Sequence, residues 1–430
     1  MIKAGFSRVD VTPPLGSYLA GYYEERYADG ILEPIELNSI ALSDGTNTAV
    51  VIITDLQGLR LAWADPIRKL VAERVGLPVE AISVTALHQH TSSALRPGLA
   101  NNVIKDNEYL DFLYRKFCDV AQMAIEDMEE AEMSVGAKET SEPIAFIRRY
   151  IMKDGKVRTN PYNAVEDIVR PSETPDNTVR LVKFKRKGKK DIALVNFQTH
   201  PDCVGGTKFS WDWCGYVRLF VEKDNPNTHC LLMNGFEGDS NHVNYLGEIH
   251  RGHEHCVNMG RIIADAVKEM WNDTEKKDVS SLSSKVSMVY NRTRTDGIEY
   301  FEECQKLLTE HPGETALKTE SGIAYTEAGR IVTAVKSAPL FQKIPVTVIE
   351  LGEVAIVGLA GEAFVNYGAD VREMYPDKFI LTSCSMNGHE GYLPTTTAYD
   401  LGGYEVVTSP FTPSIEEECI AEIKKLFEGE

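Results

Sequence analysis

Two histidines lie one residue apart at the end of an apolar segment, His88 and His90 in SVTALHQHTS. Side chains two positions apart on a strand point the same way, so a strand here would direct both imidazoles into one space. Neutral imidazole is a common metal ligand, but paired histidines also occur as hydrogen-bonded core residues. The pair by itself leaves two interpretations open, half of a metal site or two interior side chains.

Three other segments carry a metal-ligating residue where an apolar run ends. His200 ends ALVNFQTH, Glu362 follows a glycine in GLAGEAF, and Tyr392 lies in the turn-rich MNGHEGYLPTT. Ligands of open α/β sheets gather at the carboxyl ends of strands, so the four positions together favour one shared site. We expect it where five loops converge, at 88–98, 200–206, 236–244, 361–364 and 388–404.

The elements around these segments indicate an α/β protein. LNSIALSDGTNTAVVIIT predicts a hairpin that turns around Gly45, WADPIRKLVAERVG a helix, and EAISVTAL a further strand. Strand, helix and strand in this order predict a parallel pair with a helical crossover. Later hairpins are predicted around Gly188 and Gly352. We expect mixed β-sheets packed between α-helices in a single large domain, residues 1–430, without a C-terminal β-sandwich domain.

The middle of the chain is predicted to consist of helices joined by polar segments. A long amphipathic helix is expected from Asp106 to about Glu132, and shorter helices at about 255–271 and 297–310. Residues 141–177 are rich in Pro, Asn and Asp and are expected to form long loops, where binding groups often lie. The polar stretch 273–285 is the candidate domain linker.

Composition excludes several classes of partner. A net charge of −19 and an isoelectric point near 5.1 disfavour nucleic acid and anionic membranes, because long-range repulsion opposes the encounter. The first residues, MIKAGFSRVDVTPP, do not form a signal peptide, and no apolar run reaches the ~18 residues of a membrane span. We therefore expect a soluble, cytoplasmic protein without a transmembrane anchor.

The cysteines do not form a recognisable framework. Eight are scattered without a C-x-x-C pair, unlike a disulfide scaffold or a zinc ribbon. We expect reduced, mostly buried thiols. Cys203 and Cys214 follow the segment of His200 and can lie close together, but no spacing signature supports a functional thiol there.

Six segments resemble, in the same order and over nearly the whole chain, the catalytic domain of neutral, non-lysosomal ceramidases and their bacterial relatives. They are AGFSRVDVTPPLGSYLAGY, ALHQHTS, NFQTHPD, GFEGDSN, GLAGEAF and GYLPTTTAYDLGGYE. Each match is short, and the shared order is the specific part of the resemblance. It implies a zinc hydrolase.

The resemblance assigns the metal site. The positions that match the zinc ligands of the family are His88, His200, Glu362 and Tyr392. Two neutral imidazoles and one carboxylate leave Zn²⁺ with net positive charge, which lowers the pKa of bound water towards ~7. The implied reaction is hydrolysis of an amide (N-acyl) bond by a zinc-activated water.

Three further positions match residues of the family that act on the substrate. His90 matches a residue beside the zinc that contacts the substrate amide or its product, and its ordinary pKa of roughly 6.5 suits proton delivery to a leaving amine. Arg148 matches an arginine of similar purpose, with neighbouring Arg149 as the rival assignment. Tyr404 matches a tyrosine that hydrogen-bonds the developing oxyanion.

The chain departs from the family pattern at 238–242. Ceramidases carry a serine, treated as a nucleophile, in a G-D-x-S-P-N type segment, and this chain has GDSNH. Asn241 therefore aligns with that serine, and Ser240 falls one position early. Because a one-residue offset in a tight turn redirects the side chain, Ser240 is not assigned as nucleophile. Asn241 is a candidate substrate-binding amide, with a structural turn residue as the alternative.

A histidine-rich segment competes as a metal site. HVNYLGEIHRGHEH contains His242, His250, His253 and His255. We interpret it as a solvated stretch leading into a helix, with a second metal or substrate site as the less favoured alternative. Asp55 and Asp212 match acidic positions of the family, either as partners that orient ligands or as strand-end and helix-cap aspartates.

These observations predict a ceramidase-like, zinc-dependent amidohydrolase that acts on a small-molecule substrate with an N-acyl or ester group. Ester or lactone hydrolysis at the same site is one alternative, and a catalytically silent metal- or ligand-binding homologue is another. An acidic cytoplasmic protein is poorly placed to meet a membrane lipid, so we expect a substrate smaller and more polar than ceramide.

Overall fold

A computed structural model of the chain describes residues 2–95 and 107–429. Its larger sheet has nine strands: β1 (Ile2–Asp10), β2 (Glu36–Ser43), β3 (Thr48–Thr54), β4 (Ile82–Ala86), β5 (Glu129–Glu139), β6 (Thr178–Arg186), β7 (Asp191–Phe197), β8 (Thr228–Asn234) and β9 (Glu275–Lys277). The spatial order is β8-β7-β6-β5-β1-β2-β3-β4, with β9 paired to β5. The β7–β8 and β3–β4 pairs are parallel and the others antiparallel, so the sheet is mixed as predicted.

A smaller sheet has four strands in chain order, β10 (Leu282–Arg292), β11 (Phe341–Leu351), β12 (Val354–Leu359) and β13 (Phe379–Ser383). Only its β12–β13 pair is parallel. The predicted hairpins are confirmed as β2–β3, β6–β7 and β11–β12. Gly45 in the first turn has a φ of 94°, which glycine adopts without steric cost.

The helices lie between and after these strands. They are α1 (Leu61–Val75), α2 (Asn107–Glu126), α3 (Asp212–Asp224), α4 (His253–Met270), α5 (Phe301–Glu310), α6 (Tyr325–Lys336), α7 (Val365–Met374), α8 (Thr396–Leu401), α9 (Tyr404–Thr408) and α10 (Ile415–Glu428). Short 3₁₀ segments occur at Val79–Ala81, Tyr162–Asp167 and Ile298–Tyr300. None of the described helices is long and apolar enough to cross a bilayer.

Short strands complete the structure. Two-residue pairs join Tyr18–Leu19 to Arg26–Tyr27, Gly30–Ile31 to Lys208–Phe209, Gly58–Leu59 to Ala94–Leu95, Phe146–Ile147 to Ser240–Asn241, and Glu362–Ala363 to Tyr392–Leu393. A three-stranded sheet consists of Arg149–Met152, Val157–Thr159 and Ile168–Pro171. The stretch 141–177 is therefore more regular than the predicted long loops.

Helices and sheets alternate in layers. Helices α1 and α2 cover one face of the larger sheet, where Ile67 and Phe117 share a core with Ala41 and Ile52. The opposite face packs on α3, α4 and the smaller sheet. Helices α7 and α10 cover the outer face of the smaller sheet. The predicted fold class, mixed sheets between helices, is confirmed.

Two sequence predictions about the middle of the chain are wrong. The long helix is expected from Asp106 to about Glu132, and Asp106 lies outside the described residues. The observed helix α2 ends at Glu126, short of the predicted end. The next residue, Asp127, accepts the backbone N–H of Phe6 with its carboxylate. The acidic residues that follow form β5, because pairing with β1 and β6 outweighs their helix propensity. The stretch 273–285 is not a domain linker, since it contains β9 and the start of β10, within a core that both sheets share.

Candidate metal centre

Three strand ends bring predicted ligands together. His88 follows β4, His200 follows β7 and Glu362 follows β12, and all three side chains are buried. Glu362 Oε2 lies 3.4 Å from His88 Nε2 and 3.2 Å from His200 Nε2. Two imidazoles and one carboxylate that are remote in sequence thus surround one point at the carboxyl ends of strands. We call this arrangement the metal centre.

The atoms without hydrogen bonds at this point are of the kind through which histidine and glutamate bind metal ions. His200 Nε2 and Glu362 Oε2 are buried and have no hydrogen-bond partner among the described residues. Nδ1 of His88 lies 2.9 Å from the carbonyl oxygen of Gln57, and Nδ1 of His200 lies 2.9 Å from that of Ser240. Donation from each Nδ1–H leaves the Nε2 lone pairs directed at Glu362, which is the tautomer that a metal ligand requires. The residues fit a divalent cation.

Charge at the centre also suits a cation. Burial opposes ionisation of Glu362, but the surrounding imidazoles of His88, His200 and His389 hold its pKa well below the usual range. Burial lowers the pKa of His88 well below its ordinary value, although Glu362 acts in the opposite direction. An ionised carboxylate beside a neutral imidazole is a donor set that a bound cation would stabilise.

His88 and His90 do not lie on a strand, contrary to the prediction. Strand β4 ends at Ala86, and His88 has a φ of 68°, in the left-handed region that non-glycine residues rarely adopt. The resulting turn still brings the two Nε2 atoms within 3.2 Å of each other. A buried residue held in this conformation marks a position that the surrounding structure constrains. Residues 96–98 of the loop expected here lie outside the described residues.

The fourth predicted ligand is held beside the third. Glu362 begins the short strand Glu362–Ala363 rather than the predicted helix, which starts at Val365. That strand pairs in parallel with Tyr392–Leu393, and Glu362 is directly opposite Tyr392. Burial and the charge of Glu362 raise the pKa of Tyr392 well above its ordinary value.

Arg148, rather than Arg149, lies beside the metal centre. Both guanidinium groups bind the buried carboxylate of Glu405, at 2.7 Å and 2.9 Å. Arg148 also lies over Tyr392, 5.4 Å from the ring centroid, whereas Arg149 lies over Phe364. Burial opposes the charge of Arg148, but Tyr392 and Glu405 raise its pKa well above the ordinary value. It is a fixed positive charge next to the predicted ligands.

His90 and Tyr404 stand at the more exposed side of the site. His90 is half-buried, and its ring meets the edge of Tyr22 with centroids 5.2 Å apart. The Tyr404 hydroxyl lies 3.1 Å from that of Tyr23, and its ring centroid lies 5.7 Å from that of Tyr392. Burial lowers the pKa of His90 to about 4, so the imidazole is neutral at pH 7.

Known structures share this fold. No protein-family model and no curated protein sequence matches the chain. A neutral ceramidase from Pseudomonas aeruginosa matches with a TM-score of 0.73 at 15% identity, over 100% of this chain and 75% of that chain. A ceramidase complexed with C2 matches with a TM-score of 0.72 at 15% identity, over 99% and 75%. The chain has the ceramidase fold. The resemblance seen in the sequence motifs is thereby confirmed at the level of the fold.

The side chain of Asn241 is engaged within the protein. Its Nδ2 donates to Asp202 at 3.2 Å, and its Oδ1 accepts the N–H of Val243 at 2.8 Å. Ser240 contributes its backbone carbonyl, which holds His200. The loop at 238–242 therefore supports His200, and a substrate contact by Asn241 stays a prediction.

The sequence prediction omitted two residues of the site, His389 and Glu237. His389 Nε2 lies 3.1 Å from Glu362 Oε1, and its ring centroid lies 4.8 Å from that of His88. Glu237 has a carboxylate oxygen within 4.8 Å of the ligand atoms of His88, His200 and Glu362, and burial raises its pKa to about 7. Two sequence features indicate these residues: His389 lies three residues before Tyr392, and Glu237 is the first acidic residue of GFEGDSN.

The histidine-rich segment does not form one cluster. His253 Nε2 lies 2.8 Å from Glu33 Oε1, and the mostly exposed His250 stacks on His255. His242 and His255 instead approach Cys203, with ligand atoms within 4.8 Å of one another. The prediction of a solvated stretch is correct for His250 and wrong for His242, which is buried.

The two predicted orienting aspartates hold neighbouring loops. Asp55 binds the buried Arg218 through two hydrogen bonds of 2.8 Å. Asp212 accepts the N–H of Val204 at 3.0 Å, in the loop that follows His200. The expectation for the thiols is confirmed, since all eight cysteines are free and buried.

Proposed function

We propose that the chain is a ceramidase-like, zinc-dependent amidohydrolase whose catalytic domain is residues 1–430. The observation that carries this proposal is the convergence of His88 Nε2, His200 Nε2 and Glu362 Oε2, with each imidazole held at Nδ1 by a backbone carbonyl. Three protein ligands with Tyr392 beside them match catalytic zinc sites, which keep a position open for water or substrate. The ceramidase fold supports the same assignment.

The residues around the metal centre suit amide hydrolysis. Bound Zn²⁺ would supply a Lewis acid for the scissile carbonyl and acidify a water molecule. Arg148, oriented by Glu405, and the hydroxyl of Tyr404 are donors for the charge that develops on the carbonyl oxygen. Neutral His90 can accept a proton and deliver it to the leaving nitrogen, which has to depart as an amine.

The substrate we propose is an N-acyl compound. Amide cleavage is inferred from the two matched ceramidases. The exposed rings of Tyr22, beside His90, and of Tyr23, beside Tyr404, offer apolar surface for an acyl chain. The net charge of −19 favours an amine portion that is neutral or cationic over an anionic one. An N-acyl compound with a neutral or cationic amine portion satisfies both conditions.

Turnover of matched amides and esters tests the proposal. Purified protein is assayed against N-acyl amines and the corresponding esters as isolated, after removal of metal by a chelator, and after zinc is added back. We expect amide cleavage that is lost on chelation and restored by zinc. Cleavage of esters alone would establish the alternative hydrolase, and zinc binding without turnover of any compound would establish a silent homologue.

The His90→Ala substitution is expected to lower kcat by roughly 10²–10⁴-fold, the usual contribution of a positioned acid–base group. Metal content should stay unchanged, because His90 is not among the proposed ligands. His311, whose side chain is 43% exposed, provides the matched His311→Ala control. Steady-state kinetics and metal analysis of the same samples give the answer, and full turnover by His90→Ala would remove the proposed role.

A further inference from the structure

A second group of metal-ligating side chains lies outside the metal centre. It consists of Cys203, His242 and His255, whose ligand atoms all lie within 4.8 Å of one another. Cys203 and His242 are 4% and 2% exposed. We propose that this cysteine–histidine cluster is a second metal site, which binds a borderline-soft divalent cation of the zinc type.

The imidazoles of the cluster have free nitrogen atoms. Nδ1 of His242 and Nε2 of His255 are buried and have no hydrogen-bond partner among the described residues. A buried polar atom without a partner destabilises the fold, and an ion bound between these atoms would remove that penalty. On the other side of His242, Nε2 also makes no hydrogen bond within the described residues, and Asp202 Oδ1 lies 3.3 Å from it. A carboxylate behind an imidazole is the arrangement that orients histidines on metals.

The ligand types select the ion. One thiolate and two imidazoles favour zinc over magnesium or calcium, which prefer oxygen. The sulfur of Cys203 already has a soft neighbour, Met259 Sδ at 3.3 Å. The metal centre itself contains only nitrogen and oxygen ligands. The two sites therefore differ in a property that spectroscopy can detect.

The position of the cluster indicates a structural role. Cys203 lies three residues after His200, and His242 lies two residues after Ser240, whose carbonyl holds His200. His255 belongs to the first turn of α4, where the N–H of Gly252 donates to the carbonyl of Cys203 at 3.0 Å. An ion bound here would link the loop that contains Cys203 and the loop that contains His242 to helix α4.

Cobalt substitution tests this site separately from the metal centre. A thiolate-to-cobalt charge-transfer band arises only where a cysteine sulfur binds the metal. We expect the cobalt-loaded protein to show this band and to contain about two ions per chain. Cys203→Ser should abolish the band and remove about one ion. Cys118→Ser, at a buried thiol on α2, is the matched control and should keep both.

A second variant keeps the proposal testable if Cys203→Ser does not fold. His255 is only half-buried, so His255→Gln should fold even if Cys203→Ser does not, and it should weaken cobalt binding at the cluster at least tenfold. His88→Asn should keep the band, which separates failure of this proposal from failure of the metal centre. A folded, cobalt-loaded protein without the band, or a band that survives Cys203→Ser, would overturn the second site.

Discussion

Replacing His88 with asparagine is expected to remove the ion of the metal centre and to lower kcat/KM roughly 10³-fold or more, since a catalytic metal supplies several kcal/mol of transition-state stabilisation. Asparagine is chosen because it tolerates the φ of 68° at this position, so the change removes the imidazole without straining the backbone. His200→Ala, at the end of β7, should give the same result. Metal content and kinetics measured on the same samples test both variants.

A histidine at the opposite end of the sheet provides the control. His229 lies at the start of β8, is half-buried and stacks on Phe6 with ring centroids 4.3 Å apart. The His229→Ala variant should keep metal and activity. If His88→Asn and His200→Ala also keep both, the two imidazoles are ordinary interior residues and the hydrolase proposal is wrong.

Replacing Glu405 with alanine is expected to destabilise the fold by about 3–5 kcal/mol, because it leaves buried guanidinium groups without their carboxylate. Glu405 is fully buried and accepts hydrogen bonds from Arg148, Arg149 and, at 2.7 Å, from Thr159. Urea unfolding followed by circular dichroism measures the loss. The folded fraction should also turn over more slowly, since Arg148 is no longer oriented beside Tyr392.

An exposed ion pair in the same region is the matched control. Lys153 and Asp167 lie 3.3 Å apart, with side chains 65% and 51% exposed. Asp167→Ala should change the free energy of unfolding by less than ~1 kcal/mol, because solvent screens the pair. Equal losses from Asp167→Ala and Glu405→Ala would contradict the role assigned to the buried carboxylate.

Local features of the chain were predictable wherever short-range chemistry decides the structure. The turn around Gly45 is encoded by the residues that occupy it, and α1 by its own periodicity. The end of α2 and the strand β5 were not predictable, because long-range pairing with β1 and β6 decides whether that acidic segment is helix or strand.

The sequence by itself indicated the ceramidase-like order of motifs and the types and approximate positions of His88, His200 and Glu362, because apolar runs ending in polar residues mark strand ends. Tertiary structure alone decided that these atoms meet, that Arg148 rather than Arg149 lies over Tyr392, and that further residues join them. Those residues are His389 and Glu237, and the tertiary structure also brings Cys203, His242 and His255 together in the separate cysteine–histidine cluster. The direction of a side chain in a turn depends on backbone torsions and non-local pairing, such as the φ of His88, and no spacing pattern encodes them.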